Sequence, residues 1–215
     1  PSYTMLRDGH VCDDCLTGSV SNAFRHRCQQ GDTFKSLLLS LEAYWQKFAQ
    51  NYAMLDCIIA PSEFMRQTLL RKLPRSRIDV IVNGIDASTT VPGDTAGDYF
   101  LYIGRLSREK GVATLALAQQ KMQQSMPLKI VGDGPLGSDL RARFSGPEFL
   151  GYMRHGEALN ALIRGARAVI VPSEYYENCS MSVLEAMAFG RPVVGGNIGG
   201  IPEQIRDGID GYLVE

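Results

Sequence analysis

Between residues 99 and 213, short apolar runs alternate with stretches of helical spacing. No other feature restricts the fold of this chain as tightly. The runs at 99–103, 128–131, 148–150 and 168–171 are three to five residues long and read as buried strands. Between and after them, 112–124, 136–144, 157–164 and 181–189 carry apolar residues at helical intervals. Pro192, Val193 and Val194 start a further strand, and Gly199-Gly200 opens another short helix. Strand–helix–strand units of this length join parallel strands by right-handed crossovers and cover the sheet on both faces. The predicted class is therefore α/β, with a parallel sheet between two helical layers. Ligands of such sheets lie outside the carboxyl ends of the strands, which points to the loops after Ile103, Val131, Leu150 and Val171.

The first part of the chain is less regular. Residues 1–32 carry turn signals (Asp8-Gly9, Gly18, Gly31-Asp32) and little periodicity, and read as a loop region. Leu37, Leu38, Leu41, Tyr44, Trp45 and Phe48 recur at helical spacing and predict a helix over 33–52. Only Lys35 and Lys47 are basic along it, so a core helix is favoured over one lying on a membrane. A strand at 57–60, a helix opened by Pro61-Ser62 and running over 63–72, and a strand at 78–82 ended by Asn83-Gly84 follow. Residues 86–98 are rich in Ser, Thr, Gly and Asp without periodicity, the composition of a linker. The expected organisation is a partial first domain over 1–85, a linker over 86–97 and a second domain over 98–215.

A formal net charge of −1 argues against a nucleic-acid partner, which calls for a basic excess. No run approaches the roughly 20 apolar residues of a membrane span. The chain begins at Pro1 without a signal-like segment and is expected to be an interior piece of a longer protein. Cys12 and Cys15 form a C-x2-C pair with Cys28 further on and His10 and His26 nearby, which makes a structural zinc site one reading and a packed set of reduced thiols the other. Cys57 and Cys179 read as plain residues.

The chemistry concentrates in the loops. Gly104 to Gly111 runs from a strand end to a helix start, and within it Arg105 can fork onto two phosphate oxygens while Lys110 adds a point charge. Gly132-Asp133-Gly134-Pro135 reads as a tight turn that can line a pocket, and is not a G-x-G-x-x-G fingerprint. Tyr152 and Met153 follow a strand end, where an aromatic can flank a ligand ring or pack on a neighbouring helix. Glu177 stands in the loop 173–180 and Glu185 on the following helix, with Ser180 placed to cap it and Gly190 to end it. A polar loop feeding a helix N-terminus suits an anion, and two carboxylates beside it suit hydroxyls. Paired carboxylates also occur in glycoside hydrolases, but those usually come from separated elements that flank the scissile bond.

PSEYYENCSMSVLEAMAFGRPVV closely resembles the E-x7-E signature of the family 4 retaining glycosyltransferases of GT-B fold. FLYIGRLSREKG, LKIVGDGP, FLGYM, DCIIAPSEFMRQTL and VIVNGID resemble further stretches of that family, in its order. The resemblance implies two Rossmann-like domains facing a cleft, with the start of the first and the closing helices of the second outside these 215 residues. It implies transfer of a hexose from a UDP- or GDP-sugar, or another nucleotide sugar, with retention and without a cofactor or catalytic metal. It assigns Arg105 and Lys110 to the donor diphosphate, Glu177 to the transferred sugar and Glu185 to the ribose. Gly104, Gly132, Tyr152, Met153, Asn178, Cys179, Ser180 and Leu184 complete the implied donor site. Many members carry Phe-Gly after the first Glu, where this chain has Asn178-Cys179. The implied acceptor is a glycan, a lipid-linked sugar or a small molecule in polysaccharide biosynthesis. The implied location is the cytoplasm, with contact at the inner membrane face. A sugar-nucleotide epimerase of the same fold, and a nucleotide-binding module without turnover, are the alternatives. The activity of the piece alone is not implied.

Overall fold

The computed structural model describes residues 5–7, 10–29, 31–87, 90–93, 97–123 and 126–215. They divide into two units, Pro1–Val82 and Asn83–Glu215.

In the first unit, β1 (Leu6–Arg7) and β2 (His10–Val11) pair antiparallel, followed by the short helices α1 (Asp14–Thr17) and α2 (Asn22–Arg25). The loop region expected from the sequence thus holds four short elements, while its Asp8-Gly9 turn lies outside the described residues. α3 (Thr33–Phe48) starts at Asp32, whose side chain accepts from the Lys35 amide. It stops short of the expected 52, and Gln50 turns into the left-handed region at φ 51°. β3 (Ile58–Ala60), α4 (Glu63–Leu70) and β4 (Ile78–Val80) form one βαβ unit, with Ser62 capping α4 through the Met65 amide.

The sequence predicts that α3 buries its apolar stripe. Instead Ser36 and Ser40 are its buried residues, while Trp45 is 64% and Phe48 81% exposed. The serines tie it to the segment before it: Ser36 Oγ accepts from the Gln29 amide, and Ser40 Oγ accepts from Phe24 and donates to the Val20 carbonyl. Small hydroxyl side chains let the backbones approach and satisfy amides that would otherwise be buried bare.

The second unit is a six-stranded parallel sheet. Its elements are β5 (Phe100–Ile103), α5 (Val112–Lys121), β6 (Leu128–Val131), α6 (Gly137–Arg143), β7 (Glu148–Gly151), α7 (Glu157–Arg164), β8 (Ala168–Val171), α8 (Met181–Ala188), β9 (Val193–Gly196) and β10 (Gly211–Val214). The strand order is β10-β9-β8-β5-β6-β7. Alternate residues of β5 feed opposite faces. Leu101 joins Leu159, Ile163, Val183 and Ala186 of α7 and α8, and Tyr102 joins Val112, Ala116 and Leu140 of α5 and α6. The α/β class with helices on both faces is as the sequence implies.

The topology places the functional loops. From β5 the chain steps outward through β6 to β7, then returns to β8 on the other side of β5 and continues to β9 and β10. Strand order therefore reverses between β5 and β8, which pair from Phe100 with Ala168. The crevice outside the carboxyl ends of strands at such a reversal is where open α/β sheets take ligands. Within the linker stretch, residues 88, 89 and 94–96 lie outside the described residues. Gly93 is tied to the end of α8 by its amide to the Phe189 carbonyl and by Arg191, which donates to its oxygen.

Candidate functional site

Two loops meet at the reversal, 104–111 after β5 and 172–180 after β8. The first is braced by the turn after β6. Leu106 donates to the Asp133 carbonyl and accepts from the Leu136 amide, and Tyr102 Oη donates to the Arg105 carbonyl at 2.9 Å. Gly132 sits at φ 137°, and a Cβ there would lie 1.8 Å from the Gly104 oxygen, so glycine is obligatory at this close approach. At the far end Gly111, at φ 67°, lies against the Pro172 carbonyl, where a Cβ would come within 1.8 Å. The Glu174 amide donates to the Glu109 carbonyl at 2.9 Å, and Thr114 Oγ1 donates to the Glu174 carboxylate. The two loops are therefore stitched together along their length.

Their side chains converge on Glu177. Lys110 Nζ donates to Glu177 Oε1 at 2.6 Å, Ser173 Oγ donates to the same oxygen at 2.8 Å, and Tyr175 Oη donates to Oε2 at 3.0 Å. Glu177 is only 7% exposed. Its carbonyl accepts from the Gly200 amide at 2.6 Å, and Gly199, at φ 64°, leaves room for that approach. Burial works against the charge on Lys110, but Glu177 outweighs it and holds the ammonium above its usual range. Burial first, then the Glu177 charge, pushes the Tyr102 and Tyr175 phenols up. A buried carboxylate with three donors and a cation beside it is a preorganised polar cluster, the arrangement that can receive hydroxyls and anions without reorganising.

α8 starts from this loop. Ser180 does not cap it with its side chain, as the sequence reading had it. The Gln204 amide grips the Ser180 backbone instead, Oε1 accepting from its N–H at 2.7 Å and Nε2 donating to its carbonyl at 3.0 Å. Ser182 Oγ donates to the Ile103 carbonyl at 3.0 Å and pins the first turn of α8 to the end of β5. Gly190, at φ 68°, follows the helix as expected. Glu185, in the second turn, is half-buried, and His155 Nδ1 stands 3.8 Å from its Oε1. Burial raises the Glu185 carboxyl, with His155 pulling the other way.

The remaining predicted residues are more dispersed. Arg105 is exposed and its guanidinium has no partner among the described residues. Tyr152 is exposed, and Met153 packs against the core of the α7–α8 face. Asn178 is exposed, while Leu184 and Cys179 are half-buried, with the Cys179 thiol raised by burial. Ser173, Tyr175, Gln204 and His155 are missed by sequence reasoning. The first two stand four and two residues before Glu177, and that proximity is their only signal. Gln204 lies 24 residues from Ser180 and has none.

The two readings of the cysteines meet one cavity. Cys12, Cys15 and Cys28 line one small cavity with Met5, Leu6, Asp13 and Leu16. No group of His, Cys, Asp and Glu among the described residues is arranged to hold a metal ion. Burial raises the Cys15 and Cys28 thiols, and the neighbouring thiols add to the rise.

The family model described as "Glycosyl transferases group 1" matches residues 97–215, and "Glycosyltransferase Family 4" matches 24–89. Over 187 residues the chain is 29% identical to the alpha-maltose-1-phosphate synthase of Mycolicibacterium smegmatis, covering 74% of this chain and 48% of that protein. It is 32% identical over 184 residues to the D-inositol 3-phosphate glycosyltransferase of a Mycobacterium species (strain KMS), covering 74% and 41%. Among solved structures, Anabaena Alr3699/HepE in complex with UDP and glucose superposes with a TM-score of 0.63 at 22% identity, covering 74% of this chain and 49% of that one. The chain thus spans about half the length, or less, of the proteins it matches.

Proposed function

The chain belongs to the group 1 glycosyl transferases and has the GT-B fold, and from that premise we propose that it serves retaining transfer of a hexose from a nucleotide-diphosphate sugar. Residues 98–215 are then the donor-binding domain, 1–85 part of the acceptor side and 86–97 the linker. The observation that carries the reading is the Lys110–Glu177 contact at the reversal of strand order, where a cation and a buried carboxylate stand side by side.

In this reading the donor diphosphate lies over the loop after β5. The bond between the anomeric carbon and the phosphate oxygen breaks and its electron pair goes to the diphosphate, where Arg105 and Lys110 stabilise the charge that develops. The acceptor hydroxyl oxygen bonds to the anomeric carbon from the same face, and its proton goes to the departing diphosphate. The N–H groups that follow Ser180, whose own N–H Gln204 takes, are offered to the same anion. Glu177 meets the sugar hydroxyls and Glu185 the ribose. Gly104, Gly132, Tyr152, Met153, Asn178, Cys179, Ser180 and Leu184 line the donor site. The donor is a UDP- or GDP-sugar or another nucleotide sugar, and the UDP and glucose in the Anabaena structure support the first of these. The acceptor is a glycan, lipid-linked or small-molecule hydroxyl, met in the cytoplasm or at the inner face of the membrane. No helix among the described residues is long and apolar enough to cross that membrane.

A panel of nucleotide sugars, with released nucleoside diphosphate measured with and without added acceptor, tests the reaction class. Acceptor-dependent release supports transfer, conversion without release indicates an epimerase, and binding alone indicates a module without turnover. Within the site, Glu185→Gln should weaken nucleoside diphosphate and nucleotide sugar equally. Glu177→Gln should leave nucleoside diphosphate binding nearly untouched and lower turnover, because hydroxyl contacts that strengthen in the transition state act on rate. Equal loss of nucleoside diphosphate binding in both variants would reverse the assignment.

A further inference from the structure

Three donors surround the Glu177 carboxylate, and one of them touches both members of the charged pair. Tyr175 Oη donates to Oε2, the oxygen that neither Lys110 nor Ser173 takes. The Lys110 ammonium stands 5.1 Å from the centre of the Tyr175 ring, within reach of its negative face. The phenol is half-buried and stays protonated at neutral pH, because burial and the Glu177 charge both oppose its ionisation. It is therefore a lasting donor to Glu177. Ser173, by contrast, shares Oε1 with Lys110 and acts on Glu177 alone.

We propose that Tyr175 is a positioning residue of the donor site, its hydroxyl fixing Glu177 while its ring carries the Lys110 ammonium. One side chain then sets the separation between the group that meets phosphate and the group that meets sugar. The inference rests on the donor-site reading of Lys110 and Glu177. It adds a division of labour between the two carboxylate oxygens. A phosphate that draws Lys110 away frees a lone pair on Oε1 for a sugar hydroxyl, while Tyr175 on Oε2 and Ser173 keep the carboxylate in place.

Acylation of Lys110 by acetic anhydride, followed across pH by mass spectrometry in the ligand-free full chain, tests the geometry without any donor. A paired ammonium held above its usual range reacts slowly. Tyr175→Phe keeps the ring and loses the hydroxyl, so Lys110 should acylate only about threefold faster. Tyr175→Leu loses both, and the rate should rise about tenfold, with the Lys110 titration midpoint falling further than in the Phe variant. Wild-type acylation rates in both variants, or equal increases in the two, overturn the proposal. Should the Leu variant fail to fold, an unchanged rate in Tyr175→Phe at an unchanged thermal midpoint overturns it alone. Calorimetry with UDP and with GDP on the same proteins separates the two claims. Binding of either by the wild-type chain with unmoved Lys110 acylation sinks the role of Tyr175 and leaves the donor reading intact. Faster acylation in the variants, with neither nucleotide binding the wild type, supports the Tyr175 geometry and removes the donor reading.

Discussion

α3 in the first unit and α8 in the second invert the usual relation between pattern and burial. α3 carries the more evident apolar stripe, yet its buried residues are Ser36 and Ser40. α8 begins on a polar loop and carries Glu185 along its length, yet it buries Val183 and Ala186 against the sheet. The difference lies in the partner each helix finds. α8 lies on a six-stranded sheet whose residues alternate between two helical layers, whereas the parallel sheet described in the first unit has two strands, β3 and β4. An amphipathic stripe states what a helix can bury. The area that covers it has to come from elsewhere in the structure.

The comparison breaks most directly at the cores. Leu101→Ala removes a fully buried side chain between β5 and the α7–α8 layer and should cost the second unit about 2–5 kcal/mol in denaturant unfolding. Leu41→Ala, on the exposed face of α3, should change stability by less than about 0.5 kcal/mol. A large loss from Leu41→Ala would mean that the α3 stripe is covered after all.

Charged pairs sharpen the same contrast. Lys110 and Glu177 pair with little exposure, while Arg71–Asp13 in the first unit is open to solvent. Lys110→Ala should weaken binding of a nucleoside diphosphate by about 1.5–3 kcal/mol while sparing the parent nucleoside, read by calorimetry. Equal losses for both ligands would show that Lys110 does not touch phosphate. Arg71→Ala should alter stability by at most about 1 kcal/mol, as exposed pairs do.

A smaller effect is expected on the serine side of α3. Ser40→Ala strips the Phe24 amide of its acceptor and should cost about 1 kcal/mol, whereas Phe48→Ser at the exposed end of the helix should be nearly neutral. The reverse order would show that the pattern, not the serines, docks the helix.

The smallest predicted effect is electrostatic. Burial raises the Glu185 carboxyl above its ordinary 4.5, so in the window just above that value the folded chain holds a proton that the unfolded chain has released. Stability from this group is full below 4.5 and declines as pH rises through the folded-state value. Glu185→Gln should flatten that decline in thermal melts taken from pH 4 to 7, and an unchanged slope would count against the buried environment of Glu185.

Much of the second unit was legible from its residues. Parallel strands covered on both faces become continuous apolar runs such as AVIV at 168–171, and glycines mark where loops cross closely. The loops holding Arg105, Lys110 and Glu177, the last of which leads into the helix of Glu185, follow from the rule that ligands sit at strand carboxyl ends. C-x2-C spacing could not choose between zinc and packed thiols because it says nothing of side-chain direction, and here the thiols line a largely apolar cavity. The buried face of α3 could not be read either, since serines 7 and 16 residues along the chain from their amide partners leave no periodic trace.

The sequence by itself determined the alternation of strands and helices, the α/β class and the loops in which chemistry concentrates. These are local properties, set by side-chain spacing and by glycine and proline along the chain. Only the tertiary structure decided that Lys110 reaches Glu177 across 67 residues, that Ser173 and Tyr175 complete the cage, and that Gln204 rather than the Ser180 hydroxyl grips the backbone where α8 starts. Those contacts depend on β8 returning beside β5, and strand order is fixed by long-range packing that no short window of sequence contains.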